Sequence, residues 1–291
     1  MLLMIQNDQL CLTVSTLGAQ MMSLRSAEGI EYLWQGDPAY WADRAPVLFP
    51  FVGRLTNNSY CYRGKRYPME IHGFAAKSEF SPIEQGCDYL VLELKSTIVT
   101  IARYPFDFSF RIIYALNGNK VEVAYQVENR GDQYMPFGIG GHPGFRVPLL
   151  PGEQFEDYEL EFTVPCQPDR VGFTPAVYLS GIDIPYPLEN NRKIHLRHDL
   201  FDDDAIILKN MSRQVTLRSK ISQRGVCVSY YDMPYLGIWH WPKTDAPYVC
   251  IEPWSSLPSR QDIVEEFSCK SDMIQLAPRK TYETIWSITV F

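Results

Sequence analysis

The sequence predicts an all-β protein, a sandwich or a barrel with very little helix, and three observations carry that prediction. Apolar and polar residues alternate with a period of two along much of the chain, and sustained helical periodicity is scarce. The alternating segments are short and are interrupted by turn residues, among them many of the 18 glycines and 21 prolines. Many short strands separated by turns are typical of sandwiches and barrels.

The clearest pair of strands spans residues 106–127. Alternate residues are apolar on both sides of Asn117-Gly118, and these two residue types tolerate the positive φ angles of a tight hairpin turn. Weaker alternating segments flank Arg63-Gly64 and Glu28-Gly29, so we expect hairpins there as well. Further strands are expected over residues 90–94, 159–164, 215–217, 226–230, 248–251 and 284–290.

One helix is predicted, over residues 259–267. Ser259 and Asp262 stand three residues apart at its start, which is the spacing of a capping arrangement. The sequence has no internal repeat, no low-complexity tract and no linker. Because large all-β folds can use about 200–250 residues as one unit, we predict a single domain over residues 1–291.

Composition limits the class of partner. The net charge is −7 and no block of five or six like charges occurs, which argues against a nucleic-acid or anionic-membrane partner. No apolar run approaches the ~20 residues of a membrane helix, and the short apolar start lacks the basic region of a signal peptide. Seven scattered cysteines without a C-x-x-C pair fit neither a disulfide framework nor a zinc knuckle. We therefore expect a soluble cytoplasmic protein, either a monomer or a homodimer.

Two histidines stand beside glycines. His142 lies within Gly140-Gly141-His142-Pro143-Gly144, and His72 is followed directly by Gly73. Glycine and proline define the backbone path tightly, and histidine gains or loses a proton near physiological pH. Each imidazole is therefore a candidate for proton transfer, although a buried structural histidine with satisfied hydrogen bonds remains the alternative for either one.

Two charged side chains follow apolar strand-like segments. Glu252 ends the run Tyr248-Val249-Cys250-Ile251 and is stopped by a proline, so its carboxylate is expected at the mouth of a strand. Partial burial there would raise its pKa and suit it to acid–base chemistry. Arg54 emerges from a similar apolar segment and could hold hydroxyl oxygens or an anion. A structural ion pair remains the alternative for both residues.

Two further patterns suggest ligand contacts. Asp202-Asp203-Asp204 precedes an apolar segment and offers carboxylates at the entry to a strand, although most such acidic runs are solvated surfaces. Trp239 and Trp241 share one face of a predicted strand, with His240 on the other. Such indoles can form a platform for a sugar ring, but they are also common in a core. A metal site built from His72, His142 and Glu252 is a minor alternative, because no local H-x-H pair supports it.

Five short segments, taken in their order along the chain, resemble the aldose 1-epimerase (galactose mutarotase) superfamily, and its LacX-type branch in particular. The similarity extends over roughly residues 10–290. The segments that carry it are Phe49-Pro50-Phe51-Val52-Gly53-Arg54, His72-Gly73-Phe74, Gly140-Gly141-His142-Pro143, residues 201–208, and Cys250-Ile251-Glu252-Pro253-Trp254.

The resemblance implies a large β-supersandwich and an activity that interconverts the anomers of a free aldose without a cofactor or a metal. It implies that Glu252 is the general base and His142 the general acid. It also implies that His72 and Arg54 bind the sugar and that Asp204, less surely its neighbour Asp203, binds sugar hydroxyls. We add Trp239 to the expected sugar-binding residues.

Two positions depart from the family pattern. Residues 255–259 replace the aromatic, glycine and aspartate that commonly follow the Glu-Pro-Trp segment, and His240 replaces a small polar residue. We expect both departures to lie near the sugar. They leave open a carbohydrate-binding or sensing protein with little turnover. An epimerase of hexose 6-phosphates is a further alternative, which would need cations beyond Arg54, with Lys77, Arg103 and Arg44 as candidates.

Overall fold

Strands are the dominant secondary structure of the computed structural model, which describes residues 1–291. The first twelve strands are β1 Leu2–Gln6, β2 Leu10–Ser15, β3 Met21–Ser26, β4 Val47–Leu48, β5 Ser59–Tyr62, β6 Lys65–Pro68, β7 Ser81–Gln85, β8 Tyr89–Lys95, β9 Phe108–Asn117, β10 Lys120–Asn129, β11 Met135–Phe137 and β12 Gly140–Gly141. The others are β13 Gly144–Arg146, β14 Tyr158–Phe162, β15 Asp169–Arg170, β16 Ile184–Pro185, β17 Lys193–His195, β18 Ile206–Lys209, β19 Gln214–Ser219, β20 Gly225–Ser229, β21 Tyr235–Trp239, β22 Tyr248–Trp254, β23 Ile274–Leu276 and β24 Thr281–Val290.

Two large antiparallel sheets organise these strands. A nine-stranded sheet has the order β17-β14-β19-β20-β24-β10-β9-β8-β7. The second has the order β16-β15-β18-β21-β22-β12-β4, with β13 also paired to β22. The main core of 67 buried residues draws side chains from both sheets. The predicted all-β sandwich with very little helix is therefore confirmed.

The predicted hairpin over residues 106–127 is confirmed as β9 and β10, with its turn displaced by one residue. Asn117 pairs with Lys120, so the two loop residues are Gly118 and Asn119. Only Gly118 has a positive φ, of 58°. The inward side chains of both strands, such as Ile112 and Val123, are fully buried. Each such side chain contributes about 1.5–3 kcal/mol through the hydrophobic effect.

The other strand predictions are confirmed in most cases. Arg63-Gly64 joins β5 to β6, and both residues have positive φ. At Glu28-Gly29 the pairing is limited to a bridge between Arg25 and Glu31. The six further predicted segments each overlap an observed strand, in turn β8, β14, β19, β20, β22 and β24.

The helix prediction over residues 259–267 is wrong. The segment forms turns, because Asp262 adopts a φ of 62° and interrupts any helical path. Ser259 does not cap a helix there; its Oγ accepts a hydrogen bond from the Thr56 backbone N–H at 2.8 Å. The single α-helix, α1, covers Ile98–Arg103 and is capped by Thr97.

Short 3₁₀ turns supply the rest of the helical structure. They cover Thr56–Asn58, Ala75–Lys77, Phe155–Asp157 and His198–Phe201. None of the helices is both long enough and apolar enough to cross a membrane.

The segments around Phe49 and His72 are tied together by backbone hydrogen bonds. Phe49 N–H donates to the His72 carbonyl at 3.2 Å, and His72 N–H donates to the Gly53 carbonyl at 3.0 Å. Gly73 lies at the closest approach, with a φ of 79°. A Cβ at Gly73 would stand 2.2 Å from the Phe49 carbonyl oxygen, so only glycine fits there.

We expect Gly73→Ala to destabilise the protein far more than Gly64→Ala. Gly64 has a similar φ of 74°, but a Cβ added there would meet no atom within 4 Å. Its alanine variant should lose only the about 1–2 kcal/mol of left-handed strain. The Gly73 variant must also displace the Phe49 backbone, which should cost about 1–3 kcal/mol more. Urea unfolding measures both losses, and equal losses would contradict this account of the packing.

Candidate active site

One cavity of about 650 Å³ collects all six residues expected at the site. It is lined by Arg54, His72, His142, Asp204, Trp239 and Glu252, together with residues such as Trp41, Lys77 and Trp254. The six residues come from segments spread over most of the chain, and the folding of the second sheet brings them together. A volume of this size is typical of small-molecule sites.

Glu252 lies in β22 and is almost completely buried, with 1% of its surface exposed. It stands opposite Gly237 of β21, where a Cβ would come within 3.1 Å of the Glu252 Cβ. Glycine at this position therefore leaves room for the glutamate side chain. Burial raises the pKa of the Glu252 carboxyl well above its usual range. Its Oε2 has no hydrogen-bond partner in the protein.

His142 lies between β12 and β13, with 8% of its surface exposed. The preceding glycines have no positive φ; they permit close contacts instead. A Cβ at Gly141 would stand 2.7 Å from the Trp286 ring, and one at Gly140 would stand 2.8 Å from the Pro253 carbonyl oxygen. The glycines thus let the backbone of His142 pass between its neighbours, rather than turn sharply.

His142 Nε2 lies 3.2 Å from Glu252 Oε2, although the angle is unsuitable for a hydrogen bond. Burial lowers the pKa of the His142 imidazole, just as it raises that of the Glu252 carboxyl. Both effects favour the neutral forms, in which the pair as a whole carries one acidic proton, on Glu252. A pair that shares one proton can accept a proton at one atom and donate one at another.

His72 adopts a φ of 63° and turns its ring into the cavity wall. Its Nδ1 accepts a hydrogen bond from the Gly53 backbone N–H at 3.1 Å. In the neutral ring the proton therefore lies on Nε2, which makes that atom a donor. Burial, with a smaller contribution from the charge of Arg54, lowers the pKa of His72 from 6.5 to about 4. Its ring centre lies 5.5 Å from that of His142.

Arg54 and Asp204 supply opposite charges at the cavity. Arg54 is exposed and forms no ion pair within the protein, so the structural alternative for it does not hold. Asp204 Oδ1 accepts a hydrogen bond from the Ala205 N–H at 2.8 Å, which leaves Oδ2 without a partner of this kind. Asp203 is exposed and does not line the cavity. Of the two aspartates considered, Asp204 is the one placed at the site.

Trp41 and Trp239 pack against His142, and Tyr248 packs against both tryptophans. Trp239 meets the His142 ring edge-on at 5.7 Å, and Trp41 stacks on the same ring at 4.9 Å with an angle of 30°. Trp41 also stacks on Tyr248 at 5.6 Å. The sequence reasoning missed Trp41, because it lies in a turn about 100 residues from His142 and belongs to no alternating pattern.

The expectation that both departures from the family pattern lie near the sugar is largely wrong. His240 is fully buried outside the cavity, where its Nδ1 donates to the Trp241 carbonyl at 2.8 Å. Of residues 255–259, only Pro258 lines the cavity. The Ser255 hydroxyl accepts a hydrogen bond from the Ile139 N–H at 2.8 Å, and Ser256 is buried. These residues support the neighbouring backbone instead of facing the cavity.

The chain is similar in sequence and in structure to several bacterial proteins. It is 34% identical over 294 residues to a LacX protein, the plasmid form, of Lactococcus lactis subsp. lactis, an alignment that covers 98% of each chain. A galactose mutarotase related enzyme from Lactobacillus acidophilus superposes with a TM-score of 0.95 at 36% identity, covering 100% of this chain and 97% of that one. A galactose mutarotase-like protein from Lactobacillus casei gives a TM-score of 0.93 at 28% identity, with complete coverage of both chains.

A family model also matches the sequence directly. The sequence profile of the aldose 1-epimerase family matches residues 1–266. This match covers most of the chain, including every residue of the cavity lining. The protein therefore belongs to the aldose 1-epimerase family.

Proposed function

We propose that this protein is an aldose 1-epimerase that interconverts the α and β anomers of a free aldohexose by acid–base ring opening and closure. Membership of the family supports a sugar epimerase or mutarotase function. The observation that carries the specific reaction is the contact between Glu252 and His142 at 3.2 Å, inside a cavity large enough for a monosaccharide. The reaction requires one group that takes a proton and one that gives a proton, and this pair provides both.

Glu252 acts as the general base and His142 as the general acid. The Glu252 carboxylate removes the proton from the anomeric hydroxyl while the His142 imidazolium protonates the ring oxygen. The bond between C1 and the ring oxygen breaks, and C1 becomes an aldehyde. After rotation about the C1–C2 bond, the ring closes on the other face, and both protons return by the reverse transfers. No net proton is consumed, so one shared proton serves every turnover.

The bound sugar itself brings Glu252 into its basic form. Glu252 Oε2 lacks a hydrogen-bond partner in the protein, and a sugar hydroxyl is the donor that it needs. A hydrogen bond to the carboxylate favours the charged form. The proton then passes to His142, whose imidazolium forms only 3.2 Å away. The neutral pair of the empty cavity thus becomes an ion pair when the substrate is present.

The remaining predicted residues hold the sugar. His72 Nε2–H and the Arg54 guanidinium donate hydrogen bonds to hydroxyl oxygens, and the free oxygen of Asp204 accepts from hydroxyls. Trp239 presents an aromatic surface to the apolar face of the ring. These contacts fix the pyranose so that the anomeric hydroxyl and the ring oxygen reach Glu252 and His142.

The charges around the cavity favour a free sugar over a hexose 6-phosphate. Arg54 is the unpaired cation of the lining, whereas the Lys77 ammonium is paired with Glu70. Arg103 and Arg44, the other candidate cations, do not line the cavity. Two carboxylates, those of Asp43 and Asp204, line the same space and would repel a phosphate.

We expect Glu252→Gln and His142→Gln each to lower the anomerisation rate of glucose or galactose by about 10²- to 10⁴-fold. The double variant should lose little more than either single variant, because the two groups act on one shared proton. Polarimetry or NMR exchange measures the rate. Glu93→Gln is the matched control, since Glu93 is a buried glutamate in β8, away from the cavity.

Three results would contradict this assignment. An unchanged rate in Glu252→Gln would remove Glu252 from the reaction. Sugar binding by calorimetry without anomerisation above the solvent background would instead establish a carbohydrate-binding protein. A strong preference for the phosphorylated sugar in the same assay would select the hexose 6-phosphate alternative.

We expect the stability of the protein to fall between pH 6.5 and about 4, with His72 as one cause. The pKa of His72 is about 4 in the folded protein and near 6.5 in an unfolded chain, so the unfolded state binds more protons in this window. The contribution of His72 is therefore complete above pH 6.5 and is lost as the pH falls toward 4. His72→Asn, which suits the positive φ, should flatten this slope in urea unfolding. Parallel pH profiles for the variant and the parent protein would contradict the assignment.

A further inference from the structure

We propose that His142, Cys250 and Glu252 form a binding site for one thiophilic divalent cation, such as Zn²⁺, and that the bound cation excludes the sugar. The ligand atoms of the three residues all lie within 4.8 Å of one another. His72, which the sequence suggested as a metal ligand, is not part of this group. Cys250 takes its place, and neither the sequence reasoning nor the proposed mechanism gives it a role.

The strand geometry explains why these ligands meet. Cys250 and Glu252 are two residues apart in β22, so their side chains lie on the same face of the sheet. His142 reaches that face from the turn between β12 and β13, both of which pair with β22. All three residues are at least nine-tenths buried. Rigid strands on both sides thus hold the donor atoms in place.

Only small movements would bring the three donor atoms to the separations that they would have around a bound metal ion. With Zn–N and Zn–O bonds of about 2.0–2.2 Å and Zn–S bonds of about 2.3 Å, the donor atoms of a tetrahedral site lie about 3.4–3.6 Å apart. His142 Nε2 and Glu252 Oε2 are already 3.2 Å apart, and the thiol lies within the 4.8 Å limit of the group. Side-chain rotations of the kind that accompany metal binding close the remaining distance.

The donor set favours a soft or borderline cation. A nitrogen, a sulfur and a carboxylate oxygen are typical zinc ligands, whereas Ca²⁺ and Mg²⁺ prefer oxygen alone. A thiolate and a carboxylate together carry two negative charges, which match a divalent cation in a buried site. Glu252 Oε2 has no hydrogen-bond partner in the protein, so binding need not break an existing hydrogen bond at this atom. Since Glu252 and His142 also line the cavity, the fourth coordination position can face it.

Metal and sugar compete for the same electron pairs. Coordination uses the lone pairs with which Glu252 and His142 would take and pass protons, so the loaded site cannot catalyse anomerisation. This consequence rests on the proposed function, whereas the binding of the cation does not. The site therefore makes the protein sensitive to free thiophilic cations.

The test is a calorimetric titration with zinc chloride, in which Cys87 and Cys269 are replaced by serine to remove the two exposed thiols. We expect one Zn²⁺ per chain. Cys250→Ala should weaken binding by about 10- to 100-fold or more. Cys227→Ala is the matched control, because Cys227 lies in β20 of the other sheet, and it should bind zinc like the parent protein. Equal affinity in the Cys250 variant and its parent would overturn the proposal.

A second readout separates this proposal from the proposed function. If the parent protein anomerises sugars, Zn²⁺ should raise the apparent KM, and Cys250→Ala should keep the basal rate while losing the inhibition. If it does not anomerise sugars, the calorimetry alone decides. Should Cys250→Ala fail to fold, Cd²⁺ added to the parent protein must produce the ultraviolet charge-transfer band of a cadmium thiolate. Absence of that band would overturn the proposal independently of any substitution at Cys250.

Discussion

The burial of Glu252 within β22 is the constraint on which the rest of the site depends. A carboxyl group inside a sheet loses its hydration, and the protein compensates only in part. Gly237 leaves room for the side chain, and His142 stands beside it without a proper hydrogen bond. The incomplete compensation keeps the carboxyl weakly acidic and ready to interact with a polar ligand. A fully satisfied glutamate at this position would be a structural ion pair.

Much of the fold and most of the site could be predicted because the signals are local. Strand alternation in β9 and β10 depends on residues two apart, and the Gly118 turn on a single backbone angle. The site residues could be selected because histidine, arginine and carboxylate side chains stood beside glycines or at the ends of apolar runs. The resemblance to a known family then assigned them to a common place.

The failures have a different physical origin. Residues 259–267 have a capping pattern, but Asp262 adopts a positive φ and Glu265 binds both the backbone N–H and the guanidinium of Arg260, so the segment turns instead of forming a helix. Trp41 was missed because its role depends on a stacking partner about 100 residues away. His240 was expected near the sugar because its position departs from the family pattern, yet it lies on the face of the strand opposite to Trp239 and does not line the cavity. The stacking of Trp41 on His142 is a long-range contact that leaves no trace in the local sequence pattern.

The contact between Gly141 and Trp286 has a consequence for how the site could change over evolution. Trp286 belongs to β24, in the nine-stranded sheet that contributes no residue to the cavity lining, yet its indole ring supports the backbone immediately before His142. Trp286, and with it the nine-stranded sheet, therefore helps to fix the position of His142. Any repacking of the interior around Trp286 would therefore move the backbone that carries His142.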